Sequence, residues 1–172
     1  DDDEIAPDGW LDAMLTMWHQ TEADVITGPV YPILPKKTSH WVKKSRIFIK
    51  DYSYGVGQVL TKAFTNNTLV SREVLNDLGA TFDSRFQYTG SSDLHYFMRV
   101  KKKGYKILWC PAAAIYETIP ESRLKFSWII KRGFRVGNGE TRAHMYIYPG
   151  HRTIFKVLYR SSGRFVIGFI QA

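Results

Sequence analysis

The sequence predicts an α/β fold with a mixed sheet and flanking helices. Segments with helical periodicity alternate with short apolar segments of strand type along the chain. The 172 residues are 44% hydrophobic and 15% aromatic, which suits a globular domain with one core. No uninterrupted apolar run of about 18 residues occurs, so the sequence predicts no membrane span. We expect one domain over residues 1–150 and a separate tail over residues 151–172.

The first third of the chain predicts a helix, a strand and a loop. Pro7 stands at a helix-starting position, and apolar residues at helical spacing predict a helix from Trp10 to about His19. Residues 23–34 are rich in strand formers, but Gly28 and the nearby prolines predict a strand that frays into a loop. Residues 35–46 have no period and several cations, which is typical of a mobile basic loop that closes over a ligand.

The middle of the chain predicts a short strand and a capped helix. Residues 47–64 are ambiguous, because Gly55 and Gly57 weaken any helix there. Residues 65–70 predict a strand. Ser71 is a favourable cap for the helix that follows, which runs to Leu78 with Gly79 as its stop.

The central stretch is residues 89–105, TGSSDLHYFMRVKKKGY. A turn precedes Asp93, and Leu94, Phe97 and Met98 then follow the i, i+3, i+4 pattern of an amphipathic helix. Three lysines fill the last turn, where cations suit the helix dipole, and Gly104 supplies a left-handed stop. Asp93 is therefore expected at a helix N-terminus, where the commonest role of an aspartate is capping.

Beyond Gly104 the pattern predicts two strands and a helix. Residues 105–110 form the first strand, which Pro111 ends, and residues 112–116 form the second. Ser122 is expected to cap a helix over residues 123–136, and the glycines of residues 137–139 are expected to break it.

Cys110, the single cysteine, is expected to be a buried small hydrophobe, and it suits a reducing compartment. His95 is expected to serve packing or capping.

The net charge of +8 resides in the C-terminal third. Residues 1–119 hold 14 Lys or Arg and 14 Asp or Glu, whereas residues 120–172 hold 10 and 2. Such a region attracts anionic partners or is a solvated face. In residues 153–170, cations recur every four residues among bulky apolar side chains, which is typical of a helix on an anionic membrane and equally of a helix packed on its own domain.

The acidic residues at the start of the sequence, DDDE, predict a cation site. Asp1 and Asp3 lie at i and i+2, so on an extended segment their carboxylates point the same way and suit one hard divalent cation. Acidic termini are more often solvated, and the DxD pattern alone is a weak signal. The chain begins without Met or a leading strand, which predicts that a segment upstream is missing.

The order of the motifs carries more information than any one of them. DDDE with PDGWL, then TNNTLVSREVLNDLGATFDSRFQYTGSSDLHYFMRVKKKGYKI, then PAAAIYETIPESR with WIIKRGFRVGNG, closely resembles the C-terminal half of family 2 glycosyltransferases with the GT-A fold. The resemblance covers roughly residues 1–140. It implies transfer of a sugar from a nucleotide-sugar donor to a saccharide or lipid-linked acceptor, with inversion and with Mn²⁺ or Mg²⁺.

The resemblance also implies roles for particular residues. Asp1 and Asp3 match the DxD pair that holds the metal and the donor diphosphate, and Asp93 matches the general base. Glu117 stands where many members have a histidine or an acid, a candidate metal residue. The remaining matches lie on the helix near the acceptor or diphosphate and are Trp128, Arg132 and Arg135.

Those roles agree with the chemistry. Inverting transfer is one displacement, so it needs one base near the acceptor hydroxyl and no enzyme nucleophile. The leaving nucleoside diphosphate carries new charge, which a metal and arginines neutralise. The resemblance further implies surface polysaccharide synthesis in a bacterium, in the cytoplasm and at the inner face of the membrane.

Two departures from the family pattern keep alternatives open. The family usually has Glu-Asp where this chain has Ser92-Asp93, so a supporting carboxylate is absent. The nucleotide-binding half that precedes DxD in the family is also absent from these residues. One alternative is therefore a non-catalytic glycosyltransferase-like binding domain. A second alternative is a basic nucleic-acid-binding module, although the sequence contains no familiar nucleic-acid motif and we expect no such partner.

Overall fold

A computed structural model describes residues 3–44, 47–48 and 52–150, and it confirms the predicted α/β fold with mixed sheets and flanking helices. The helices are α1 (Trp10–Thr21), α2 (His40–Lys44), α3 (Arg72–Leu78), α4 (Ser92–Lys102) and α5 (Phe126–Ile147). The strands are β1 (Glu4–Ile5), β2 (Val25–Thr27), β3 (Val30–Ile33), β4 (Val59–Leu60), β5 (Thr68–Val70), β6 (Ile107–Trp109) and β7 (Ile115–Thr118). Asp1 and residues 151–172, including the predicted tail helix, lie outside the described residues.

The strands form two small sheets. In the sheet of order β4-β6-β2-β5, β2 runs parallel to β6 and antiparallel to β5. In the sheet of order β1-β7-β3, the central strand β7 runs antiparallel to β1 and parallel to β3. The register sets Glu4 opposite Glu117, so the acidic opening of the chain is held beside β7.

The predicted strand at residues 23–34 is in fact two strands, and each belongs to a different sheet. The chain changes sheet at Gly28, where a Cβ atom would lie 2.1 Å from the carbonyl oxygen of Ala113. The Asn67 side chain stabilises the backbone where the chain passes from one sheet to the other. Its side-chain amide donates to the carbonyls of Pro29 and Ala113, at 2.9 and 2.8 Å, and its Oδ1 accepts from Trp10 Nε1 at 2.8 Å.

The core lies on both faces of the four-stranded sheet. One cluster joins α1 to Ile26 and contains Cys110, which is buried as predicted. The other packs α4 against the sheet through Phe97 and Val100, which bury the apolar side of this helix. His95 is also buried and stacks on Phe86 with ring centroids 4.6 Å apart, so its predicted packing role is confirmed. Burial lowers the pKa of the His95 imidazole.

The helix in the last part of the chain differs from its prediction at both ends. Residues 121–124 form a 3-10 turn, so Ser122 is not a cap, and α5 continues without a break through Gly137 and Gly139. Helix propensity is overridden by packing, because Gly139, Ala143 and Ile147 are buried against the elements around α4. A side chain at residue 139 would have no room there.

Smaller differences concern element bounds. Residues 65–67 form a 3-10 turn, so only the second half of the predicted 65–70 segment is a strand. The strand predicted at residues 112–116 begins later, at Ile115. The predicted basic loop contains α2.

Ser71 caps α3 as predicted, accepting a hydrogen bond from the Val74 amide. Over the described ranges, none of the helices has the length and apolar character that a bilayer crossing requires.

Candidate functional site

Asp93 is the second residue of α4, so it lies at a helix N-terminus as predicted. A turn with strained backbone immediately precedes the helix. Gly90 and Ser91 have φ values of +75° and +68°, so two consecutive left-handed residues precede the helix. Glycine adopts this conformation freely, but serine does so at a cost. The half-buried Asp93 carboxylate accepts a hydrogen bond from the Leu94 amide at 2.7 Å. Non-glycine residues held at positive φ cluster at functional sites.

Helix α5 supports this turn. A Cβ atom on Gly139 would lie 2.2 Å from Ser91 Oγ, and one on Gly90 would lie 3.9 Å from Cδ of Arg135. Both distances show that α5 lies directly against the turn that precedes Asp93. The arginine side chain therefore runs past the N-terminus of α4, where the helix dipole favours anions.

Substitution of Gly139 tests this contact. We expect Gly139→Ala to destabilise the fold by about 1–3 kcal/mol, because the new methyl group overlaps Ser91. Gly133→Ala is the matched control in the same helix, since among the described residues no atom outside the backbone of α5 itself lies within 4 Å of the position that its new methyl group would take. The control should stabilise the protein by up to about 1 kcal/mol through helix propensity. Urea denaturation measures both changes in the free energy of unfolding. A change of the same sign for both variants would contradict the close approach of Gly139 to Ser91.

A second cluster of charges forms where β1 pairs with β7. The Thr118 amide donates to the carbonyl oxygen of Asp3 at 2.7 Å. The guanidinium of Arg123 then joins two carboxylates, with Nη2 at 3.0 Å from Asp3 Oδ2 and Nη1 at 2.9 Å from Glu117 Oε1. We call these three residues the Arg123 cluster. All three side chains are about one-third exposed, so solvent screens their attraction and its effect on stability is small.

Arg132 lies on α5, three residues before Arg135. Partial burial lowers the pKa of its guanidinium, the neighbouring Arg135 lowers it further, and the Glu117 carboxylate acts in the opposite direction. These influences place Arg132 within electrostatic reach of the Arg123 cluster. Its guanidinium carbon also lies 5.2 Å from the centre of the Trp128 ring. Phe48 stacks on the same indole, with ring centroids 6.2 Å apart.

The helix therefore connects the two acidic sites. Glu117 raises the pKa of Arg132, Arg135 passes Gly90, and Gly139 lies against the turn before Asp93. From residue 132 to residue 139 a helix rises about 10 Å, so both arginines lie within about two turns of the contact at Gly139. Arginines beside the Asp93 carboxylate can bind an anion and retain a base next to it.

The donor set of the Arg123 cluster suits a hard cation in part. Asp3 and Glu117 supply carboxylate oxygens that converge on one positive group, and oxygen ligands are what Mg²⁺ and Mn²⁺ prefer. Asp1, the other half of the DxD pair, lies outside the described residues. Among residues 3–44, 47–48 and 52–150, no group of three or more His, Cys, Asp or Glu side chains forms a metal site.

Comparison with known proteins identifies the family of the chain. The family described as Glycosyl transferase family group 2 matches residues 1–166. The chain belongs to this family. It is also similar to the succinoglycan biosynthesis protein ExoM of Rhizobium meliloti (strain 1021), with 27% identity over 151 residues, which cover 88% of the chain and 48% of ExoM. The chain thus spans about half the length of that curated relative.

Within this family 2 chain, the structure places the predicted residues that it describes in two groups, one in the Arg123 cluster and one where α5 lies against the turn before Asp93. Asp3 and Glu117 share one guanidinium, and Trp128, Arg132 and Arg135 lie on one helix. Sequence reasoning missed Arg123 as a partner of these acids. No local spacing indicates it, because the pairing of β1 with β7 brings Asp3 to Glu117 from more than a hundred residues away.

Proposed function

We propose that the chain is the metal- and acceptor-binding half of a glycosyltransferase that moves a sugar from a nucleotide-sugar donor to a saccharide or lipid-linked acceptor, with inversion. Membership of the family supports the class of reaction. The observation that carries the proposal is the position of α5, whose Arg135 runs past the turn before Asp93 and whose Arg132 is under the electrostatic influence of Glu117. The name of ExoM supports a surface polysaccharide as the product.

In this proposal Asp93 is the general base. Its carboxylate takes the proton from the acceptor hydroxyl as that oxygen attacks the anomeric carbon. The bond from the anomeric carbon to the diphosphate breaks in the same displacement, which inverts the configuration. The start of α4 orients the carboxylate, and the turn at Gly90 and Ser91 fixes the direction in which it points.

Arg132 and Arg135 receive the leaving group. Charge grows on the diphosphate as the sugar departs, and fixed guanidinium groups stabilise this charge without reorganisation. Trp128 holds the Arg132 guanidinium through a cation–π contact at 5.2 Å, so its role is to orient that arginine. Asp1, Asp3 and Glu117 would hold Mn²⁺ or Mg²⁺, which supplies further neutralisation of the diphosphate when bound.

The test is transfer by the full-length protein, with a panel of nucleotide sugars and saccharide acceptors. We expect transfer that chelation by EDTA abolishes and that Mn²⁺ or Mg²⁺ restores. Glu117→Gln should raise the metal concentration needed for half-maximal rate by about tenfold or more, because one ligand loses its charge. Glu121→Gln, at an exposed neighbouring acid, should leave it unchanged.

Three results would count against parts of this proposal. Transfer that EDTA does not affect would remove the metal. Donor binding without transfer would favour the non-catalytic binding domain, to which Ser92 in place of the family's usual acid already points. Retention on nucleic acid that falls steeply with salt would favour the nucleic-acid module.

The proposal includes a location. A lipid-linked acceptor would bring the protein to the inner face of the cell membrane, with the protein otherwise in the cytoplasm. The basic and apolar sequence of residues 151–172 supports attachment to an anionic surface there.

A further inference from the structure

Helix α5 is apolar on two sides. Its inner side carries Gly139, Ala143 and Ile147, which are buried. Its outer side carries Phe126, Ile130 and Phe134, which are 67%, 57% and 77% exposed. Both sets repeat every four residues, and at about 100° per residue the two sets lie about 140° apart around the axis. The outer residues therefore point away from the core.

The outer side continues onto a second element. Trp41 of α2 contacts Phe126 with ring centroids 6.2 Å apart and is itself 44% exposed. We call Trp41, Phe126, Ile130 and Phe134 the outer apolar face. Large apolar side chains grouped on a surface in this way mark an interaction site, whereas scattered ones need no explanation.

The two segments that carry this face hold charges of one sign. Residues 40–44 and 125–139 together hold six Lys or Arg and no Asp or Glu. All six are exposed, and Arg135 runs past the turn before Asp93. Within the described part of the chain, none of the four lysines pairs with an acid; they are Lys43, Lys44, Lys125 and Lys131.

We propose that the outer apolar face docks onto an anionic membrane surface, with the aromatic and aliphatic side chains at the acyl boundary and the four lysines at the headgroups. Bulky apolar residues beside lysines are what binds an interfacial helix to anionic lipid. A second copy of the chain would bring like charges together, and so would the basic residues of 151–172.

The inference goes beyond the proposed role of residues 151–172, since it concerns a different and structurally described surface. It also does not rest on sugar transfer, because vesicle binding is measured without donor or acceptor. Failure of one proposal is therefore visible independently of the other.

The first experiment measures partition of the full chain onto phosphatidylglycerol-containing vesicles and onto pure phosphatidylcholine vesicles. We expect the double substitution Ile130→Gln and Phe134→Gln to lower partition onto the anionic vesicles by about tenfold. The matched control is Leu11→Gln with Val56→Gln, two apolar residues that are 49% and 78% exposed on other surfaces. The control should change partition by less than about twofold.

The second experiment does not depend on how the double variant folds. Cys110 is buried, so Phe134→Cys can be labelled selectively with an environment-sensitive dye. We expect its emission to shift to the blue on anionic vesicles, and the same dye at Leu11→Cys to remain unshifted. The shift should weaken in high salt, because the lysine contribution is screened.

Several results would overturn the inference. They are equal partition of the double variant and the unsubstituted chain, absence of vesicle binding by the unsubstituted chain, and vesicle binding during which the dye at residue 134 stays in water. A concentration-dependent shift without vesicles would identify a second copy as the occupant instead. A shift produced by nucleic acid but not by vesicles would identify that partner.

Discussion

Asp93→Asn is expected to reduce transfer by the full-length protein by about 10²–10⁴-fold while donor binding is retained. The amide has the same shape as the carboxylate, but it cannot accept the proton of the acceptor hydroxyl. The turn at Gly90 and Ser91 and the packing of α5 do not depend on the charge of residue 93. Steady-state transfer and calorimetric donor binding together separate loss of the base from loss of the fold.

Asp12→Asn is the control for this substitution. Asp12 also lies in the first turn of a helix, α1, and it is exposed. The two variants should lose similar, small amounts of helix stability, because each removes one charge from a helix N-terminus. Normal transfer by Asp93→Asn would show that Asp93 is not the general base and serves only at the helix N-terminus. Loss of donor binding in that variant would assign it to the donor site.

The largest effect on stability is expected for Asn67→Ala. The side chain is 1% exposed and makes three hydrogen bonds, to Trp10, Pro29 and Ala113. Its removal leaves the Trp10 indole N–H and the Ala113 carbonyl without this partner, whereas the Pro29 carbonyl keeps its hydrogen bond from the Ile115 amide at 3.0 Å. Each unsatisfied group costs about 1–3 kcal/mol, so we expect the free energy of unfolding to fall by about 3–4 kcal/mol.

The adjacent Asn66 provides the comparison, because it lies in the same 3-10 turn but is less buried. Asn66→Ala should change the free energy of unfolding by less than about 1 kcal/mol. Urea denaturation with fitted m-values distinguishes lost stability from a changed unfolded state. A loss below about 1 kcal/mol for Asn67→Ala would mean that another group, such as water, satisfies the indole N–H of Trp10 and the carbonyl of Ala113.

Local sequence signals were sufficient for the elements that depend on local chemistry. The cap at Ser71, the helix that follows Asp93 and the end of that helix near Gly104 were all predicted correctly. Each depends on residues within a few positions of one another. The assignment of the family was predicted from the order of several motifs, and the match over residues 1–166 confirms it.

Features made by distant residues were not predicted. The Arg123 cluster requires Asp3 and Glu117 to meet through two-residue strand pairing, which has no sequence signal of its own. The continuation of α5 past its glycines depends on Ser91, which lies far away in the chain. The separation of β2 from β3 depends on Asn67 in the same way. In each case a tertiary contact decided between conformations that local propensity left open.

The left-handed conformation of Ser91 has a consequence for how the site is assembled. A serine stays at a φ of +68° only while neighbouring atoms exclude the alternatives, and here Gly139 of α5 lies directly against the Ser91 side chain. Undocking of α5 would let that backbone relax and would redirect Asp93, even with both sheets intact. Catalytic competence should therefore disappear at milder denaturing conditions than the cooperative melting of the core, so that activity reports local unfolding first.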